Sequence, residues 1–338
     1  MFAEWAPLRL RFKFDARTSR GSMTDKLTYL IRLHTDDRRI GVGECALFQG
    51  LSADDRPDYE QRLAAACRNP QEGLQSPYSS IRFGFESAMD ALQPADDEFS
   101  TGKVSIPING LIWMGNRDEM RRRIDAKLAA GFRVLKMKIG GIDFEQEVEL
   151  LGYIRRRYSA DVLELRLDAN GSFTTENAEE RLKRLAEYSI HSIEQPIKPG
   201  QWEEMAHLCS LNLIPIALDE ELIGMNDDAR KREMLATIRP QFIILKPSLC
   251  GGLNEADRWA EIAQLQGIGY WTTSALESNI GLYAIARRVA CQHPDMPQGL
   301  GTGQLFHNNI PSPLRLVGDT IRCEPSAEWE IPSMQWQR

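Results

Sequence analysis

At 338 residues, with 42% apolar and 26% charged side chains, the chain has a globular balance and enough length for one large core plus a smaller domain. A net charge of −7 argues against a nucleic-acid partner, and the basic runs Arg121-Arg122-Arg123 and Arg155-Arg156-Arg157 fall in helical patterns as solvated faces. Six scattered cysteines without a Cys-x-x-Cys pair, no leader-like start and no long apolar run predict reduced thiols, a cytoplasmic location and no membrane span.

The first hundred residues read as strands followed by helices. Arg11 to Phe14 alternates, Leu27 to Leu33 is rich in β-formers, and Ile40-Gly41-Val42 follows a polar turn, which suggests an antiparallel meander. Helices are expected near 55–68 and 79–92, the second with Ile81, Phe85, Ala88 and Leu92 on one buried stripe. This is α+β organisation over residues 1–100, with Pro94 to Gly102 as a linker.

Beyond it, short apolar runs alternate with amphipathic segments: Val104-Ser105-Ile106, Val134-Leu135, Leu163 to Leu167, Ile190 to Ile193, Ile214 to Leu218, Phe242 to Leu245, Ile268 to Trp271 and Gly299-Leu300. Their spacing is that of strand–loop–helix units, and eight of them predict an α/β, TIM-like barrel over 101–311 rather than an open sheet. Ile108-Asn109-Gly110-Leu111 lacks the phosphate-binding glycines of a doubly wound sheet. The tail, 312–338, breaks the repeat and is expected to pack back on the N-terminal domain.

Barrel chemistry sits at the C-terminal ends of strands. Read in order, those ends are Lys136-Met137-Lys138, Asp168-Ala169-Asn170, Glu194-Gln195-Pro196, Asp219-Glu220 and Lys246-Pro247. Three successive strands end in a carboxylate, with lysine-bearing strands on either side. Converging carboxylates repel unless a cation lies between them, and hard oxygen donors without His or Cys select Mg²⁺, with Mn²⁺ as a substitute. Lys136 and Lys138, two apart on a strand, share a face, and a buried lysine beside another cation can act as a base. Met137 between them belongs to the packing. Each acid alone could be a surface group or cap, and the lysines alone could be structural partners; the ordered set carries the argument.

At these residues the chain resembles the muconate-lactonizing subgroup of the enolase superfamily, in which Lys or His bases act with Mg²⁺. The likeness spans the whole chain and implies a modified (β/α)₇β barrel with an α+β capping domain. It implies Asp168, Glu194 and Asp219 as metal ligands, with Asn170 and Glu220 beside them. It implies Lys138 as acid and base, Lys136 as its neighbouring cation and Lys246 as the opposing lysine. Gly269 to Ser274 carries no His, and Leu300 to Gly303 carries no acid, unlike racemases of the mandelate type and dipeptide epimerases respectively.

Ser274 to Ser278 and Gly299 to Gly303 instead resemble the o-succinylbenzoate synthases. That likeness implies a lyase of menaquinone synthesis acting on a small carboxylate: syn dehydration of 2-succinyl-6-hydroxy-2,4-cyclohexadiene-1-carboxylate. The alternatives are an N-succinylamino acid racemase or related epimerase on the same site, and a non-catalytic metal-binding interaction protein. Weaker candidates for substrate contact are Ser274, Gly301, Thr302 and Arg20, with Phe48 to Leu51 as a capping loop. Neither nucleic acid nor membrane is expected as a partner, and the oligomeric state stays open.

Overall fold

The computed structural model describes residues 1–18 and 21–338. The chain begins with an antiparallel sheet of β1 (Phe2–Thr18), β2 (Gly21–His34) and β3 (Ile40–Cys45), in that order. The helices α1 (Tyr59–Arg68), α2 (Pro70–Leu74) and α3 (Ser79–Asp90) follow. Alternation along β2 sends Tyr29, Ile31 and Leu33 to one face, where they meet Ile81, Phe85 and Ala88 of α3. The contact is backbone-close because β3 carries glycine there: a Cβ on Gly43 would lie 2.1 Å from the Gly84 carbonyl oxygen. Pro94 to Gly102 is no free linker. Phe99 is buried, and Arg287 bonds Asp90, Asp97 and the Pro94 carbonyl.

Next come β4 (Ser105–Pro107), β5 (Gly110–Ile112), α4 (Arg117–Ala129), β6 (Val134–Lys138) and α5 (Phe144–Arg155). The alternation continues through β7 (Glu164–Asp168), α6 (Thr175–Ala186), β8 (Ser192–Glu194), α7 (Trp202–Ser210) and β9 (Ile216–Leu218). It ends with α8 (Asp228–Ile238), β10 (Phe242–Leu245), the short α9 (Pro247–Cys250), α10 (Leu253–Gln264), β11 (Gly269–Thr272) and α11 (Asn279–Ala290). Strands β5 to β11 form one parallel sheet in chain order. It curls until its two edges are bridged by a single segment. Gly299 N donates to Thr272 O on one side, and Gln298 accepts from Asn109 N on the other.

The first strand of this sheet is Gly110–Ile112, not the expected Val104-Ser105-Ile106. Ser105–Pro107 pairs instead with the hairpin of β12 (Leu314–Val317) and β13 (Thr320–Cys323), antiparallel to β13. Ile106 thereby buries against the outer core beside Ile321, and Pro107, without an N–H, ends the strand. The tail divides accordingly. Its hairpin stays with β4, whereas the last residues reach the N-terminal sheet, where Trp5 and Gln337 exchange both backbone bonds and Arg32 stacks 4.0 Å from the Trp336 ring.

Two acids from the N-terminal region cap helices beyond the curled sheet. Glu86 of α3 accepts from Leu253 N and Asn254 N at the start of α10. Glu44 of β3 accepts from Ser278 N, Ser278 Oγ and Gly281 N at the start of α11. Each satisfies orphan helix donors and places negative charge at a positive helix end, so sheet and helices dock in one orientation. Among the described residues no helix is long and apolar enough to cross a membrane.

Candidate active site

Parallel pairing brings the chemistry-bearing strand ends side by side. Lys138 registers with Asp168, and Asp168 with Glu194, so successive C-terminal ends present their side chains at one level. The backbone just beyond them is strained. Asn170 (φ 45°) and Gln195 (φ 41°) are left-handed although neither is glycine. Gln195 is held by donating Nε2 to the Ile197 carbonyl and accepting Asp219 N, which ties the β8 turn to the end of β9.

The lysines interleave with the acids. Lys136 Nζ bridges Asp168, at 3.0 Å, and Glu194. Lys246 Nζ bridges Asp219 and Glu194, the latter at 3.4 Å. Lys138 Nζ donates to Asp168 Oδ2 at 2.8 Å and to Asn170 Oδ1 at 2.7 Å, while Asn170 Nδ2 donates to Glu220 Oε1 at 3.1 Å. Asp168, Glu194 and Asp219 are at most 3% exposed, whereas the side chains of Lys138 and Lys246 keep 14% and 11%.

Burial by itself would raise the Asp168 carboxyl, but Lys136, Lys138 and Lys246 hold it well below the usual range. Burial, then the neighbouring charge of Asp168, pushes Glu194 up to about 7 despite two lysines. Burial would depress Lys136 and Lys246, yet the surrounding carboxylates outweigh it and hold both above the ordinary lysine value.

Among the described residues no three acids stand as a ready cation cage, because lysine ammonium groups lie between them. The donor set nonetheless fits a divalent cation. It consists of three buried carboxylates on adjacent strand ends, hard oxygen donors with no His or Cys among them. Asp168, Glu194 and Asp219 are the residues that would hold it.

Lys136, Lys138, Asp168, Asn170 and Lys246 line a cavity whose other walls include Ser274, Gly301 and Thr302, with Gly21 to Met23 and Phe48 to Leu51 above. Ser274 Oγ is already engaged, donating to Glu277 Oε2 and meeting Thr302 Oγ1, both at 2.6 Å. Arg20 lies outside the described residues. The sequence reading missed Trp113, whose ring lies 5.5 Å from Lys138 Nζ, and the wall residues Asn109, Leu249 and Thr273. Placing the first strand at 104–106 put its end too early. The correct register, ending at Ile112, would have brought Trp113 to the strand end where reactive groups are sought.

A family model described as enolase C-terminal domain-like matches residues 119–321. The chain belongs to this family. An o-succinylbenzoate synthase of Desulfotalea psychrophila is 45% identical over 355 aligned positions, covering 92% of this chain and 96% of the relative. The crystal structure of MenC from Desulfotalea psychrophila LSv54 superposes with a TM-score of 0.83 at 41% identity, over 95% of this chain and all of that one. A dipeptide epimerase from Cytophaga hutchinsonii, complexed with Mg and D-Ala-L-Val, superposes with a TM-score of 0.81 at 21% identity, over 98% and 96% of the two chains. At that identity the likeness is one of fold.

Proposed function

We propose that the chain is an o-succinylbenzoate synthase, a hydro-lyase converting 2-succinyl-6-hydroxy-2,4-cyclohexadiene-1-carboxylate to o-succinylbenzoate and water in menaquinone biosynthesis. The observation that carries this is the near-full-length, 45% identical relative of that activity, joined to a site holding Lys138 against Asp168 and Asn170. The curled sheet bridged by Gln298 and Gly299 supports a (β/α)₇β barrel over 101–311. Residues 1–100, joined by the last residues of the tail, form its α+β capping domain, while the hairpin 314–323 stays with β4.

Asp168, Glu194 and Asp219 would hold Mg²⁺ in this reading. When bound, the ion supplies positive charge beside the substrate carboxylate, lowering the cost of the negative charge that builds there as the α-proton leaves. Lys138 does the proton work. As the neutral amine it takes the proton from C1, the C1–H electron pair forms the C1–C6 double bond, and the C6 hydroxyl departs. The resulting ammonium returns its proton to that oxygen, so water leaves and the ring becomes aromatic. Asn170 and Asp168 aim the Lys138 nitrogen, and Lys136 adds fixed positive charge beside it. Lys246 exchanges no proton here and stands as a cation against the ring.

The test is loss of the substrate's diene absorbance with purified protein and Mg²⁺; no conversion at high enzyme concentration overturns the proposal. A second reading, N-succinylamino acid racemase, is favoured by one observation: Lys138 and Lys246 both reach the same cavity. It requires α-proton exchange in D₂O from both enantiomers.

A further inference from the structure

Two polar groups in the cavity wall take no part in the chemistry above. Asn109, just before β5, is 4% exposed, and Thr273, just after β11, is 7% exposed. Neither Asn109 Oδ1 nor Thr273 Oγ1 has a hydrogen-bond partner among the described residues, and both residues line the cavity that holds Lys138 and Lys246. Buried polar atoms are nearly always paired, because an unpaired one forfeits its hydration without return. Two orphans in one wall mark a place where a bound molecule completes the bonding.

They also share a location. Asn109 N donates to Gln298 O at 3.0 Å, and Thr273 abuts Gly299 from the other side, so the pair flanks the segment that bridges the sheet edges. A Cβ on Gly299 would lie 2.4 Å from Thr273 Oγ1, so glycine lets the bridging segment pass directly beside that hydroxyl. In strand order this seam stands farthest from β8, which carries Glu194.

The chemistry of the seam selects what it accepts. Asn109 and Thr273 are neutral. The described cationic residues lining the cavity are Lys136, Lys138 and Lys246, and each already bonds a carboxylate at the acid cluster. A carboxylate at the seam would be stripped of water with no cation of its own, whereas a neutral carbonyl oxygen would be satisfied there. Thr273 donates O–H to it, and a half-turn of the Asn109 carboxamide presents Nδ2 in place of Oδ1.

We infer that Asn109 and Thr273 form a subsite for the neutral keto oxygen of the substrate's side chain. This rests on the reading as an o-succinylbenzoate synthase and adds which atom of the succinyl group the protein recognises. The pair thereby discriminates keto side chains from alkyl ones, since a site with unpaired donors rejects a ligand lacking the acceptor.

The test is titration calorimetry on Mg²⁺-loaded wild type, Asn109→Leu and Thr273→Val, with o-succinylbenzoate and with 2-(3-carboxypropyl)benzoate, in which CH₂ replaces the ketone. Wild type is expected to prefer the keto compound by roughly 10- to 100-fold, and either variant to reduce that preference to within about threefold while holding the alkyl compound as before. Thr273→Ser, which keeps the hydroxyl, restores the preference. In turnover, the variants raise KM more than they lower kcat. Equal loss of affinity for both compounds, or an undiminished preference in both variants, overturns the subsite. The nearly isosteric Thr273→Val keeps the test open if Asn109→Leu does not fold, as judged by thermal melting. Wild-type turnover of the cyclohexadiene substrate is measured alongside: its absence overturns the functional reading itself, whereas turnover with unaltered keto preference in the variants removes the subsite alone.

Discussion

Asn170 Oδ1 accepts from Lys138 Nζ at 2.7 Å while the Asn170 backbone sits at φ 45°, in the left-handed region that asparagine enters more readily than other residues with a Cβ. The other end of the same amide donates to Glu220, so the side chain is clamped from both sides. Asn170 therefore aims the lysine without needing to touch substrate. Asn170→Ala is expected to lower kcat by roughly 10- to 100-fold with little change in KM, because a misaimed base still leaves the binding surface intact. Steady-state kinetics check this, and a matching rise in KM would place Asn170 among the substrate contacts instead.

The two cavity-facing lysines should separate under substitution. Lys138→Ala removes the group that both takes and returns the proton, and is expected to abolish measurable dehydration. Lys246→Arg keeps a cation opposite and is expected to retain part of the dehydration rate while ending any two-face proton exchange of N-succinylamino acids. Diene absorbance follows the first activity, and deuterium incorporation in D₂O follows the second. Equal loss of both activities in Lys246→Arg would make Lys246 a proton-transfer group in dehydration too.

Metal dependence has a readout apart from catalysis. A ligand that binds only the folded state raises the melting temperature by mass action. Mg²⁺ is expected to raise that of wild type and to raise that of Asp219→Asn clearly less, while EDTA stops turnover. An equal shift in both proteins would remove Asp219 from the ligand set.

Glu147 yields a prediction in pH. Its Oε1 accepts from the Gly140 and Gly141 N–H groups at 2.6 and 3.2 Å, pinning the loop that leaves Lys138, but Oε2 is buried and has no partner among the described residues. Burial pushes the carboxyl up to about 7 in spite of those donors. For an acid raised on folding, the folded state binds the extra proton between the unfolded value near 4.5 and about 7, so stability falls as pH rises through that window and then levels. Glu147→Gln, permanently neutral, is expected to match wild type near pH 4.5 and to exceed it above pH 7 by about 1–3 kcal/mol. Denaturant titrations at the two pH values decide it. A parallel pH response in both proteins would show that Glu147 stays charged when folded.

The alternation of apolar runs with amphipathic segments was legible in the sequence because a buried parallel strand must be apolar and its covering helix must be two-faced. The lysines and acids were legible because they follow those runs directly, at strand ends. Strand β5 was not. Val104 to Ile106 is as apolar as Gly110 to Ile112, and only the hairpin 314–323, some two hundred residues later, decides which of the two pairs elsewhere. With that register went Asn109 and Trp113.

By itself the sequence determined which residue types end each strand, and hence a site of lysines among carboxylates. Tertiary structure decided how those charges pair. Lys136 and Lys246 lie between the acids, Ser274 is spent on Glu277, and Asn109 Oδ1 and Thr273 Oγ1 have no partner among the described residues. The reason is physical: strand periodicity is a local property written along the chain, whereas hydrogen-bond partnership depends on distances between strands that only closure of the sheet sets.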